Sequence, residues 1–326
     1  MKKKLFLMAC LAVVGILRVK AQQSIIALHH EGNVTIYAGA KTQEAMDASV
    51  KGDTLYLSEG TFSGFNVTHG IVVLGSGEKT VVSGNITITG NEEKKDLGGY
   101  VFSGMNLLYD IIVNDSVNGL RISQCQMRNF EVIDDAKTNL DNAEIVMCYI
   151  RGGLIAGGSE ESLTVVSSKI WTVRWGGNTD GAITFNHCNV YYAQDDETFS
   201  ESDTRNIYSN CIIFQALGST VMNSIIKQVY SKYSNNRGLK GNIENTFVNN
   251  ISFDDKMNCS LTDDSLHKAG YFGNDGTVVG ITGGDIPYTL ELAAPHVVDH
   301  KVDVDNVNRK MTVTLKMAHE ATKEEE

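Results

Sequence analysis

Two groups of residues in this 326-residue chain have types and spacings that could do chemistry. The first is acidic: Asp180 in Asn178-Thr-Asp-Gly181, the pair Asp195-Asp196, and Arg174 shortly before them. Two carboxylates facing one bond can act as general acid and water activator in glycoside cleavage. Acidic calcium ligands beside a base such as Arg174 or Lys169 could instead remove a proton next to a uronate carboxylate. Against both, Asp195-Asp196 runs on into Glu197-Thr-Phe-Ser200, a polar stretch that reads equally as a solvated turn. The second group is a recurring flat or cationic residue: Arg128, Arg151, Trp171, Tyr191, Phe214 and Lys227. Rings and guanidinium groups presented at regular intervals could stack on sugars and pair with uronate or sulfate groups. They could also pack beneath loops, or form a ladder on the surface of a sheet.

Other chemistries have weaker support. The chain has six cysteines but no Cys-x-x-Cys pair, and His296 and His300 form its single His-x-x-x-His spacing, in a stretch that reads as strand or loop. No metal site or cofactor is expected on that basis. Calcium could be held by the acids above or by Asn274-Asp275-Gly276, although the latter reads more simply as a tight turn. Gly75-Ser-Gly-Glu-Lys-Thr80 lacks the Gly-Lys-Thr order of a phosphate loop.

The elements that must position these residues show themselves as a repeat. Leu120-Arg-Ile-Ser-Gln-Cys-Gln-Met127 recurs as Glu144-Ile-Val-Met-Cys-Tyr-Ile150, Leu163-Thr-Val-Val-Ser-Ser-Lys-Ile170, Ile183-Thr-Phe-Asn-His-Cys-Asn-Val190 and Ile207-Tyr-Ser-Asn-Cys-Ile-Ile213. Weaker copies start at Val221 and Ile243. The small residue falls at Cys125, Cys148, Ser168, Cys188 and Cys211, at steps of 23, 20, 20 and 23 residues. Alternation at period two within a repeat near 20 residues implies strands stacked as a solenoid. Equivalent residues then sit in neighbouring strands roughly 4.8 Å apart. Two columns should face inward: Ile122, Ile145, Val165, Phe185, Tyr208, Val221 and Ile243, then Met127, Ile150, Ile170, Val190, Ile213, Ile226 and Val248. The column containing Trp171 and Tyr191 should face outward. Cysteines in one parallel column suit free buried thiols better than disulfides. The step from Cys211 to Ser224 is only 13 residues, which reads as too short for an equal coil.

The first 21 residues have Lys2 to Lys4, an apolar stretch from Leu5 to Leu17, and Val19-Lys20-Ala21, the pattern of a secretory signal peptide cleaved after Ala21. A lipoprotein reading through Leu7-Met-Ala-Cys10 would cut that stretch in half. Without the leader, 23 basic residues face 39 acidic ones, a net charge of about −16. Such a balance argues against a nucleic-acid partner. No later run approaches the roughly 20 apolar residues of a membrane span. Both prolines, Pro287 and Pro295, fall near the C-terminus, as stacked strands that need every backbone N–H would require. A helix over Thr42 to Lys51, covering with Ala45, Met46, Ser49 and Val50, should cap the first coil, whose strand edges and core would otherwise lie open. Lys301 to Val304 and Met311 to Lys316 read as two strands around a turn near Asn306 to Asn308, and residues 319–326 as a charged, disordered tail.

Ala48-Ser-Val-Lys-Gly-Asp-Thr-Leu-Tyr-Leu-Ser-Glu-Gly-Thr-Phe-Ser-Gly64, followed by Ile71-Val-Val-Leu-Gly-Ser-Gly77, resembles the opening of secreted bacterial right-handed parallel β-helix proteins of the pectin-lyase-like type. The Cys/Ser column fits the same family, and Gly273-Asn-Asp-Gly-Thr-Val-Val-Gly-Ile-Thr-Gly-Gly284 with Ile286-Pro-Tyr288 resembles a closing segment of its secreted members. The resemblance covers roughly residues 33–290 and implies an all-β fold: a single-stranded right-handed parallel β-helix over residues 22–285, with an N-terminal capping helix and a C-terminal β element or cap over 286–318. It implies little about activity, because this fold carries many functions. The acidic motifs resemble those of polygalacturonases, but the Gly-His-Gly and Arg-Ile-Lys those enzymes also carry do not occur after Asp196, and Arg121-Ile-Ser123 precedes the acids and lacks the lysine. The leading expectation is an exported, non-catalytic scaffold or carbohydrate-binding protein of the cell surface or medium, with a polysaccharide partner. The alternative is a lyase or hydrolase acting on an acidic polysaccharide.

Overall fold

A computed structural model describes residues 24–89, 98–133, 138–157, 160–175, 182–194, 206–217, 220–229, 240–243, 246–290, 296–305 and 310–318. Two compact units divide the chain after Leu290. The first is a parallel β-solenoid built from two long sheets, each of twelve strands. From Asn139 on, each coil sends one strand to the first sheet and the next to the second, while the two coils before it each send two short strands to the second. Thus Glu160–Val166 pairs in parallel with Ala182–Asn186, while Lys169–Trp175 pairs with Asn189–Gln194. The pairings Ile122↔Ile145↔Val165↔Phe185↔Tyr208↔Val221 and Ile150↔Ile170↔Val190↔Ile213↔Ile226 reproduce the expected inward columns, and all these side chains are buried. Phe185 and Tyr208 stack at 4.4 Å within this core.

The polar step of the repeat is a left-handed residue. Gln124, Met147, Ser167, His187, Asn210 and Asn223 all have φ between 45° and 55°, each one place before the small residue, and Gly104, before Met105, has φ 68°. A left-handed non-glycine residue costs about 1–2 kcal/mol, and the bend recovers hydrogen bonds in both directions. Met147 N–H donates to Val166 O in the following coil, and Tyr149 N–H to Cys125 O in the preceding one. The small residue also has a polar task. Ser168 Oγ accepts from Cys148 N–H at 3.1 Å, Cys211 Sγ from Cys188 N–H at 3.4 Å, and Ser224 Oγ from Cys211 N–H at 2.9 Å. The five cysteines among the described residues are free thiols, four of them fully buried. Burial pushes the Cys125 thiol up to about 12 and holds Cys148 and Cys188 well above the ordinary thiol value, so these are structural, unreactive sulfurs.

The short step to Ser224 proves to be a real coil. Ile212 and Ile213 pair with Ile225 and Ile226, 13 residues on, because only residues 218 and 219 separate its two strands. The slip comes one coil later. Met222, not Val221, pairs with Ile243, and Ile226 pairs with Phe247 rather than Val248, after an irregularity between Thr220 and Met222. Phe247 takes the inward position of this last coil, and it is 57% exposed.

At the other end, β1 (Ile25–His30) and β2 (Asn33–Ala38) form a hairpin that extends the first sheet antiparallel from β3 (Thr54–Leu57). Its turn residues Glu31 and Gly32 have φ of 46° and 81°, the left-handed pair a two-residue hairpin turn needs. The capping helix is Thr42–Asp47, shorter than expected. Ala45, Met46 and Ser49 are buried as anticipated, but Val50 points to solvent beyond the helix end. Gln43 ties the helix to the solenoid by accepting from Asn66 N–H at 2.8 Å and donating to Asn66 O.

The segment from Asn250 to Leu290 does not close the end of the stack. It runs back along the outside as a strap with one short helix, Asp263–Ala269. Ile251, Leu266 and Val279 of the strap form a second apolar cluster with Ile212, Ile225 and Val248. In the second unit, His296–Asp305 and Lys310–Ala318 form an antiparallel hairpin, as the sequence suggests, with the anticipated turn lying outside the described residues.

Candidate functional site

The outward column is built as read, with a geometry that changes its meaning. Pairing of Ile170 with Val190 and of Val190 with Ile213 brings Trp171, Tyr191 and Phe214 into line on the second sheet. Trp171 and Tyr191 stack at 4.3 Å and 12°, Tyr191 and Phe214 at 4.3 Å and 11°, and Lys227 Nζ sits 4.3 Å from the Phe214 ring centre. The rings therefore lie face to face along the stack and present their edges to solvent. Sugars stack on aromatic faces, and here the faces of Tyr191 and Phe214 are already covered. Trp171 ends the pile. Its second face looks toward the preceding coil, Tyr149–Ala156, and among the described residues no ring lies on it; Trp171 is 37% exposed.

Two glycines make the opening. The register shifts between Ile150 and Gly153, so Arg151 and Gly152 both stand opposite Trp171. A Cβ on Gly152 would lie 2.4 Å from Asn129 Oδ1 and 2.9 Å from Arg128 O, so the bulge requires glycine there. Arg151 turns away and donates to Leu107 O at 2.6 Å. Arg128 pairs bidentately with the buried Asp110, Nε at 2.9 Å and Nη2 at 2.7 Å, and lies over Tyr109. Asp110 raises the Arg128 guanidinium above its ordinary value. These two arginines, expected to face a ligand, are committed to the fold.

The strap forms a wall beside the ring stack. Phe253 lies 6.2 Å from the Tyr191 ring, and Tyr149 donates its hydroxyl to Asp255 O at 2.8 Å. Lys169 donates to Asn258 Oδ1 at 2.6 Å under the Tyr288 ring, and burial lowers its ordinary basicity. Asn258, Lys256 N–H and nearby Lys169 hold Asp254 below the usual carboxylate range. A pocket of about 180 Å³ beneath the strap, lined by Ile212, Cys259, Leu266 and Ile281 among others, is mainly apolar. On the adjacent bend, the buried His187 has Nε2 2.6 Å from Asp275 Oδ2 and Nδ1 3.2 Å from Gly280 O. Asn274 exchanges hydrogen bonds with Asn210, and Asp275 accepts from Thr277, so the Asn-Asp-Gly sequence serves here as a structural turn.

Arg174 is exposed at the end of its strand. Asp180, Asp195, Asp196 and Glu197 lie outside the described residues. Among the described residues no group of three or more His, Cys, Asp or Glu side chains is placed to hold a metal ion, and no helix is long and apolar enough to cross a membrane. The strap contacts and the opening beside Trp171 were not read from the sequence, although Gly152-Gly153 inside a strand was an available signal for a bulge or close backbone approach. The chain matches no protein-family model, no curated protein and no solved structure.

Proposed function

We propose that this is an exported, non-catalytic β-solenoid of the pectin-lyase-like type, acting at the cell surface or in the medium, that binds a polysaccharide on its second sheet. The observation carrying this reading is Trp171, 37% exposed at the end of the ring stack beside a glycine bulge, with no ring on its second face among the described residues. One sugar ring docks on that face, and neighbouring residues of the glycan run along the ring edges, where the half-exposed Tyr192 and Gln215 offer polar groups. The ligand class is a neutral glycan rather than a polyanion, since Arg128 and Arg151 are engaged elsewhere and the chain is acidic.

A glycan array probed with the mature chain, residues 22–326, with and without calcium, tests this. Binding to neutral glycans that Trp171→Ala abolishes, with calcium making no difference, is the expected result. Binding unchanged by Trp171→Ala, or no binding, overturns the site. Release of cleaved product would make the protein an enzyme, and alanine at Asp195 and Asp196 would then have to abolish that activity.

A further inference from the structure

The first sheet ends in a strand with nothing on its outer edge among the described residues. In a hairpin closed by two residues, the flanking pair His30 and Asn33 exchange hydrogen bonds and the pattern alternates from there. Asn33, Thr35 and Tyr37 therefore bond to β1, an alternation that Gly39 N–H continues by donating to Ser24 O at 2.7 Å. The N–H and C=O groups of Val34 and Ile36 point away from the sheet. Natural edges are usually guarded by a charge, a proline or a bulge. Asn33-Val-Thr-Ile-Tyr-Ala38 has no charge or proline, and its pairing with β1 is unbroken by any bulge. Val34 is 52% and Ile36 57% exposed. They share the outer face with the exposed Ile25 and Tyr56, because Ala27 pairs with Ile36 on one side and with Tyr56 on the other.

We propose that β2 is a homodimer interface, pairing antiparallel with β2 of a second copy about a two-fold axis at Thr35. In that register Val34 of each copy exchanges both backbone hydrogen bonds with Ile36 of the other, and the two apolar faces become continuous. Charge selects the occupant. Glu31, exposed at the hairpin tip, falls opposite Gly39 of the second copy, two residues from the exposed Lys41, and the symmetry makes this contact twice. An acidic chain otherwise repels its copies. Here an uncharged strand has Glu31, 3.9 Å from His30, before it and Lys41, which also pairs with Glu44 on its own chain, after it, the order of acid and base that self-pairing needs.

The test is the mass of the mature chain by light scattering and sedimentation, over a range of concentrations. Wild type should be a dimer, and Ile36→Lys, on an exposed side chain, should halve the mass with the circular dichroism spectrum unchanged. Glu31→Lys and Lys41→Glu should each weaken the dimer, and the double reversal should restore it. A wild type monomeric at every concentration, a dimer that survives Ile36→Lys, or a double reversal that fails to restore association each overturns the proposal.

Discussion

Removing one ring at a time separates what the aromatic stack does for stability from what it does for binding. Tyr191 lies between Trp171 and Phe214, each at 4.3 Å, and also meets Tyr192 edge-on at 4.5 Å. Aromatic pairs contribute about 0.5–1.5 kcal/mol each beyond area burial. Tyr191→Ala thus forfeits these three close pairs, roughly 2–4 kcal/mol, and with them the tilted contact to Phe253, whereas Trp171→Ala forfeits one stacked and one edge-on pair, roughly 1–3 kcal/mol. Tyr191→Phe keeps all three. Urea unfolding followed by circular dichroism should rank the losses Tyr191→Ala, then Trp171→Ala, then Tyr191→Phe. Binding should rank differently, since the open ring face belongs to Trp171: Trp171→Ala abolishes it while Tyr191→Phe leaves it intact. A Trp171→Ala variant that destabilises more than Tyr191→Ala would refute the idea that the pile has a free end. A Tyr191→Phe variant that loses binding while folding normally would move recognition from the ring face to the tyrosine hydroxyl.

The bend column makes its own prediction. Ser168→Ala removes the acceptor for the buried Cys148 N–H and should cost about 1–3 kcal/mol, while Ser168→Cys, which places there the sulfur that Cys211 uses in the same column, should cost less; equal losses on urea titration would contradict the polar role of this position. Asp110→Ala strips Arg128, Asn129 N–H and the Asn129 amide of one shared acceptor and should lower the urea midpoint, with an unchanged midpoint showing that the pair is dispensable. Burial pushes the Asp275 carboxyl up, but Thr277 and His187 outweigh it and hold the group below its ordinary 3.8. Its stabilisation is therefore present above that value and lost as pH falls through the lower folded value, so the hydrogen-exchange protection factors of Gly280 and Gly284, taken against the intrinsic rate at each pH, should fall on acidification, and Asp275→Asn should remove that dependence. His30 behaves in the opposite sense: its bond to Asp53 raises it above 6.5, so its contribution is full below 6.5 and fades as pH rises through the raised value, an alkaline loosening of the hairpin that Asp53→Asn should eliminate.

The parts of this molecule legible in the sequence are those that a period can express. A side chain every coil from Ile122 to Val221 must face the same way in a parallel stack, so the inward columns, the cysteine column and the ring column all followed from spacing. The register failed only where a bulge breaks that translation, at Thr220 to Met222, and there the inward residue changed from Val248 to Phe247. The 13-residue coil misled for the converse reason. Coil length varies in the connection between sheets, while the bend and its two strands stay constant.

What spacing could not express is which outward columns the chain covers with itself. Lys169, Asn189, Ile212 and Ile225 occupy one outward column and are all buried, although their polarity runs from ammonium to aliphatic. Their shared feature is the strap, whose contacts reach up to 106 residues along the chain, as from Tyr149 to Asp255. The column two residues along each strand holds Trp171, Tyr191 and Phe214 and lies beyond the strap, yet it reads as the more apolar of the two. Hydrophobicity alone would bury the rings and expose the lysine; the strap reverses this, because Asn258 and the Tyr288 face give Lys169 a buried partner and the rings cover one another. A sheet that leaves its aromatic column open while enclosing a lysine beside it has an uncovered surface that folding alone does not require, and Trp171 is where that surface presents a free ring face.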